Sequence, residues 1–200
     1  MLKIGILRET KHPAERRAPL TPAQAACLEK TFPSLKIIIQ PCKNRVFTDD
    51  EYRNAGIEVR ENLSNCDWLI GIKEVNIEDF IEGKNYLFFS HVIKKQAHNL
   101  DMFSEIVKKA ITLVDYELFT DDKGFRLVAF GRWAGIVGAY NGLRAWGIRH
   151  NCYVLKPAYL CHSMHELFET VHLLSKHSLK ILITGEGRVA SGAMETVLKD

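Results

Sequence analysis

Apolar residues along this chain fall into short runs that stop at ionisable residues. Residues 68–72 (WLIGI) give way to Lys73 and Glu74, and residues 86–89 (YLFF) give way to Ser90 and His91, with Lys94 just beyond. Runs of this length, apolar without alternation, suit strands of a parallel sheet covered on both faces. Residues 3–7, 35–39, 57–59 and 111–114 are predicted as further strands, the last ending in Asp115 and then Glu117. Helices are predicted between them. Thr21 with Pro22 and Gln24 opens one that runs to about residue 29, and Thr48 with Glu51 opens a short one stopped by Gly56. Residues 96–109 have helical spacing, with Leu100, Phe103, Ile106 and Val107 on one side. The DDKG segment, 121–124, is expected to turn a hairpin into residues 127–130.

The texture then changes. Residues 131–149 carry Gly131, Gly135, Gly138, Gly142 and Gly147. Glycine inside a helix costs about 1 kcal/mol relative to alanine, so this many glycines need a reason. Gly131, Gly135 and Gly138, with Ala134 and Ala139, leave a smooth face, which predicts a helix packed closely against another backbone. A loop is the alternative, and Ile136, Val137, Leu143 and Trp146 at helical spacing weigh against it. A domain boundary is placed here, giving units 1–130 and 131–200. Residues 163–176 form a further predicted helix opened by Ser163 and Glu166. His162, His165, His172 and His177 lie in or beside it without a tight i, i+4 pair, so they read as surface imidazoles and no metal site is expected. Finally, a predicted buried strand at 180–184 runs into Gly185-Glu186-Gly187-Arg188-Val189-Ala190, a G-x-G-x-x-A pattern followed by a helix. The first glycine permits a tight turn, and the second lets a pyrophosphate approach the helix N-terminus. The acid that usually follows about 20 residues on, for a ribose, would fall beyond Asp200, so the chain is expected to be the first part of a longer one.

Composition adds limits. The chain has 200 residues, enough for one good core or two small ones, and a net charge of +3 with no basic stripe, which argues against nucleic acid. No apolar run reaches transmembrane length, and the start has no signal-peptide pattern. The five cysteines show no C-x-x-C spacing. Reduced thiols in a cytoplasmic protein, with no membrane partner, are the expectation.

In open parallel sheets, ligands bind beyond the carboxyl ends of the strands. Lys73 and His91 fall at two such ends. Arg17, in the charged loop after the first strand, would suit a carboxylate, because its planar fork meets two oxygens at once. Taken singly, each residue could be a solvated loop side chain, and the arginines could simply pair with Glu9 or Glu15.

Six segments occur in order: KIGILRETKHPAERRAPLTPAQ, GIKE, FFSHVIKKQ, LVDYEL, GFRLVAFGRWAGIVGA and ITGEGRVASGA. Together they resemble the alanine dehydrogenase/transhydrogenase N-terminal superfamily, and within it the NAD-dependent, lysine-forming saccharopine dehydrogenases. The resemblance implies an α/β chain: a Rossmann-like parallel sheet domain, then the start of a second, dinucleotide-binding Rossmann domain. It implies an NAD-dependent oxidoreductase acting on a small amino acid or oxo acid substrate. A hydride would leave the secondary amine carbon of saccharopine, and the imine would take up water and split into lysine and 2-oxoglutarate. By position, Lys73 and His91 match the acid–base pair and Arg17 a carboxylate-binding residue. Gln96, Arg126 and Phe130 match substrate-contacting positions, and Glu74 and Glu117 would tune the charge around the lysine. Gly185, Gly187, Arg188 and Val189 match the cofactor loop. Phe125 and Ala190 depart from the pattern, standing where those enzymes carry arginine and glycine. Alanine dehydrogenase, with pyruvate and ammonia, is the alternative within the class; a non-catalytic carboxylate-binding module is the alternative outside it.

Overall fold

The computed structural model describes residues 1–161, 163–174 and 179–198. The chain divides into two compact units, Met1–Val128 and Ala129–Asp200.

The first unit is built on six parallel strands: β1 (Leu2–Ile6), β2 (Leu35–Ile39), β3 (Glu58–Val59), β4 (Trp68–Ile70), β5 (Asn85–Phe88) and β6 (Thr112–Asp115). Their order is β3-β2-β1-β4-β5-β6. The chain therefore steps outward one way from β1, returns beside it, and steps outward the other way. The reversal between β1 and β4 is the switch point at which such sheets open a crevice. Register is fixed by burial on both faces, because successive side chains alternate. Ile37 and Ile39 join Ile6, Ala25, Tyr52 and Ile57 in one core; Ile38 joins Leu63, Leu69, Tyr86, Phe88 and Met102 in the other. Each such side chain contributes roughly 1.5–3 kcal/mol when fully buried. A Cβ at Gly5 would come within 2.9 Å of Leu69 and 3.1 Å of the Cys66 sulfur, so that core closes directly onto the β1 backbone.

Helices α1 (Pro22–Thr31) and α2 (Asp49–Asn54) cover the first core, and both open on reciprocal capping boxes. Thr21 N donates to Gln24 Oε1 at 2.9 Å and Thr48 N to Glu51 Oε2 at 2.6 Å, satisfying amides that have no partner inside the helix. Gly56, at φ +82°, follows α2. Helix α3 (Leu100–Lys108) departs from expectation in its face. Met102 and Ile106, one turn apart, point into the core, while Leu100, Phe103 and Val107 are 55%, 47% and 64% exposed. The apolar stripe is wider than the sheet edge it covers. Its outer part flanks a cavity of about 500 Å³ lined by Val92, Ile93, Leu100, Phe103, Leu113 and Leu118. The expected hairpin at 121–130 also shrinks. Its turn forms, with Gly124 at φ +80°, but only a single antiparallel bridge joins Thr120 to Arg126. Phe125 and Leu127 are more than half exposed, so no buried face rewards longer pairing.

The second unit contains α4 (Gly131–His150), α5 (Met164–His172) and α6 (Arg188–Leu198), around a core of Ile136, Tyr140, Leu143, Leu155 and Leu167. Helices α4 and α6 touch backbone to backbone. A Cβ at Gly135 would fall inside the Val189 carbonyl, and one at Gly192 inside the Arg132 carbonyl. Arg132 then grips Glu195 through two bonds, at 2.8 and 2.6 Å. The smooth-face expectation is met at Gly135 and at Gly131, where a Cβ would come within 3.0 Å of the Arg188 Cβ, but at Gly138 the space is open. The strand expected at 180–184 is absent: this segment has no regular structure, and Leu182 is 88% exposed. A strand exists only through a neighbour's ladder, and none is present among the described residues of this unit. His165 and His172 lie on α5, while His162 and His177 fall outside the described residues. Among the described residues, no helix is long and apolar enough to cross a membrane, and no three metal-ligating side chains gather.

Candidate functional site

Because every strand runs the same way, the residues that follow β1, β4, β5 and β6 share one edge of the sheet, and these strands are neighbours in that order. Arg17 follows β1, Lys73 follows β4, His91 follows β5 and Glu117 follows β6.

The β1–β4 side is organised by Glu9. After Ile6 the backbone still donates one bond to the ladder, from Leu7 N to Ile70 O at 2.9 Å, and then leaves the sheet. The Glu9 carboxylate takes over. Its Oε1 accepts from Ile72 N at 2.6 Å and its Oε2 from Lys73 N at 3.0 Å. Burial pushes the Glu9 carboxyl above its ordinary range, against the pull of those two amides. Beside it, Glu15 holds the Arg17 fork, with Nε to Oε1 at 2.9 Å and Nη2 to Oε2 at 2.6 Å. The guanidinium holds the Glu15 carboxyl low, and the Lys73 charge adds to the pull. Lys11 reaches across to form an ion pair with Glu74.

The β5–β6 side is organised by Asp115. His91 sits in the left-handed region, at φ +56°, where a residue with a side chain is uncommon. Its amide donates to Asp115 Oδ2 at 3.1 Å, and its Nδ1 lies 3.1 Å from Glu117 Oε2. The other Glu117 oxygen receives Arg126 Nη1 at 2.9 Å and Lys94 Nζ at 3.2 Å. His91 first, and Lys94 after it, hold the Glu117 carboxyl below the ordinary carboxylate range. Nδ1 also lies 3.2 Å from Lys94 Nζ, so it faces the Glu117 acceptor and an ammonium donor together, and Nε2 is the nitrogen outside both contacts.

Two aromatic residues join the sides. Phe89 stacks on the His91 ring, with centroids 6.3 Å apart, and meets Tyr116 at 5.1 Å. Tyr116 in turn senses the Glu9 charge; burial, and then that charge, push its hydroxyl up to about 12. Arg17, Lys73, Glu74, His91, Glu117 and Arg126 thus all lie at the carboxyl edge. Gln96 does not join their network. It is exposed and lines the apolar cavity beside α3. Sequence reasoning passed over Glu9, Asp115 and Tyr116 as parts of the site. Asp115 was visible as an acid ending an apolar run; nothing in the pattern marked Glu9 among its charged neighbours.

In the second unit, Phe130 immediately precedes α4. Gly185 adopts φ +98°, which favours glycine. Gly187 has open space where a Cβ would stand, and Arg188 and Val189 begin α6.

A parallel sheet with a charged carboxyl edge, followed by a glycine turn opening a helix, defines a Rossmann-type α/β chain. Its family follows from comparison. Residues 5–137 match the model of the alanine dehydrogenase/PNT N-terminal domain, and the chain belongs to that family. It is 40% identical over 146 residues to the mitochondrial alpha-aminoadipic semialdehyde synthase of Bos taurus, covering 73% of this chain and 16% of that protein. It is 32% identical over 214 residues to the saccharopine dehydrogenase [NAD(+), L-lysine-forming] of Candida glabrata, covering 96% of this chain and 56% of that one. The chain therefore spans only part of these relatives. Among solved structures, an L-alanine dehydrogenase shares the fold, with a TM-score of 0.60 at 14% identity, over 98% of this chain and 52% of that one.

Proposed function

We propose that this chain is the substrate-facing part, and the opening of the cofactor domain, of an NAD-dependent dehydrogenase of the lysine-forming saccharopine type. The observation that carries the reading is the shared carboxyl edge. A fork-shaped cation, Arg17, an amine, Lys73, and an imidazole, His91, follow neighbouring strands within one carboxylate-laced network. The names of the relatives agree with it.

Arg17 would bind a substrate carboxylate by giving up, or sharing, the fork that Glu15 now fills. The reaction needs a proton removed from the secondary amine, a water deprotonated at the imine carbon, and the departing lysine amine protonated. Nε2 of His91 can take and return a proton, because Glu117 stays charged and steadies the imidazolium. Nζ of Lys73, with its backbone fixed by Glu9, is the second proton carrier or a charged clamp on the substrate. The turn fits a dinucleotide. Gly185 has the required φ, Gly187 leaves the approach clear, and Arg188 and Val189 stand at the helix N-terminus. NAD bound there would supply the hydride acceptor.

Calorimetric titration tests the reading. Saccharopine should bind more tightly than pyruvate, and Arg17→Ala should weaken it at least tenfold. Preference for pyruvate would move the assignment to alanine dehydrogenase, and unchanged saccharopine affinity in Arg17→Ala would remove Arg17 from the site.

A further inference from the structure

Asp115 is buried, 6% exposed, and among the described residues no cation pairs with it. Every bond its carboxylate makes goes to the apparatus around His91. Oδ2 accepts from Ser90 Oγ at 2.6 Å and from His91 N at 3.1 Å; Oδ1 accepts from Glu117 N at 2.8 Å. The Ser90 hydroxyl also receives Val92 N, at 3.3 Å, so the turn is braced on both sides of His91. A buried carboxylate with no counter-charge is an expensive way to end a strand. Three donors converging on it from two neighbouring strand ends offset that cost. They also explain how His91 stays in the left-handed region, since strained backbone persists only where its surroundings over-determine it.

We infer that Asp115 is a positioning residue for His91, the proposed proton carrier, and for its carboxylate partner Glu117: it fixes the His91 backbone and the Glu117 backbone together, so that imidazole and carboxylate meet. The role of His91 rests on the function proposed above; the clamp itself does not.

The test is NMR on the labelled 200-residue chain, comparing the parent with Asp115→Asn. Asparagine keeps one acceptor oxygen and replaces the other with a donor, so it cannot hold both amides. The Glu117 carboxyl titration reports the pair directly, with His91, Lys94 and Arg126 as the charged groups around it. In Asp115→Asn the Glu117 midpoint should move upward, and the His91 amide should exchange at least tenfold faster, while the Ile38 and Leu69 amides at the sheet centre keep their protection. A folded Asp115→Asn with Glu117 titration and His91 exchange as in the parent would overturn the inference. If that variant does not fold, through-hydrogen-bond couplings in the parent decide: couplings from the His91 and Glu117 amides to the Asp115 carboxyl carbon support the clamp, and their absence overturns it. Neither readout needs turnover or ligand, so loss of saccharopine binding alone would count against the proposed function and leave the clamp standing.

Discussion

Residues 36–39 read Lys-Ile-Ile-Ile, and residues 180–183 read Lys-Ile-Leu-Ile. The first tetrapeptide lies in β2, with Ile37, Ile38 and Ile39 at most 1% exposed. The second lies in the other unit, with Ile181 half exposed and Leu182 at 88%. Almost the same letters meet opposite ends. The difference is the neighbours: β2 has β1 on one side and β3 on the other, whereas 180–183 has no strand beside it among the described residues. Backbone amides need a ladder before apolar side chains can be buried on a sheet. The second unit instead brings helix backbones into contact at Gly135 and Gly192, beside its core of Ile136, Tyr140, Leu143, Leu155 and Leu167.

That contrast can be broken within a single helix. Gly135→Ala forces a methyl into the Val189 carbonyl and should destabilise the chain by about 1–3 kcal/mol, in the range of an overpacked core. Gly138→Ala, three residues along in open space, should stabilise it by about 0.5–1 kcal/mol through helix propensity alone. Denaturant unfolding of both variants measures the pair; equal effects would mean that α4 and α6 do not meet at Gly135. A smaller effect sharpens the picture of the first unit. Glu9 is raised and Glu117 lowered from ordinary carboxylate values, so on acidification Glu9 should take its proton first and Glu117 later. Protonation removes one acceptor from the pair that holds Ile72 and Lys73, so those amides should begin to exchange faster while the His91–Glu117 contact persists. Carboxyl titration by NMR checks the order.

Much of this was legible in the letters. Capping boxes at Thr21 and Thr48 are local chemistry, and both form. Apolar runs without alternation gave the parallel sheet, because burial on both faces leaves that signature. From parallelism alone, Lys73 and His91 belonged on one edge. What stayed hidden depended on distant partners. The buried side of α3 was set by how little of the helix the edge strand covers, not by its own spacing. The absence of a strand at 180–184 was set by missing ladders. The carboxylates of Glu9 and Asp115 act on amides 63 and 24 residues away, a relation that no local pattern encodes.

Arg17, Lys73 and His91 should serve one ligand at the carboxyl edge of the first sheet. Amide chemical-shift mapping during a saccharopine titration tests it most directly. Shifts should gather on residues 9–17, 72–74, 89–91 and 115–117 and be lost in Arg17→Ala. Shifts confined to the cavity beside α3, at Ile93, Leu100 and Phe103, would contradict it.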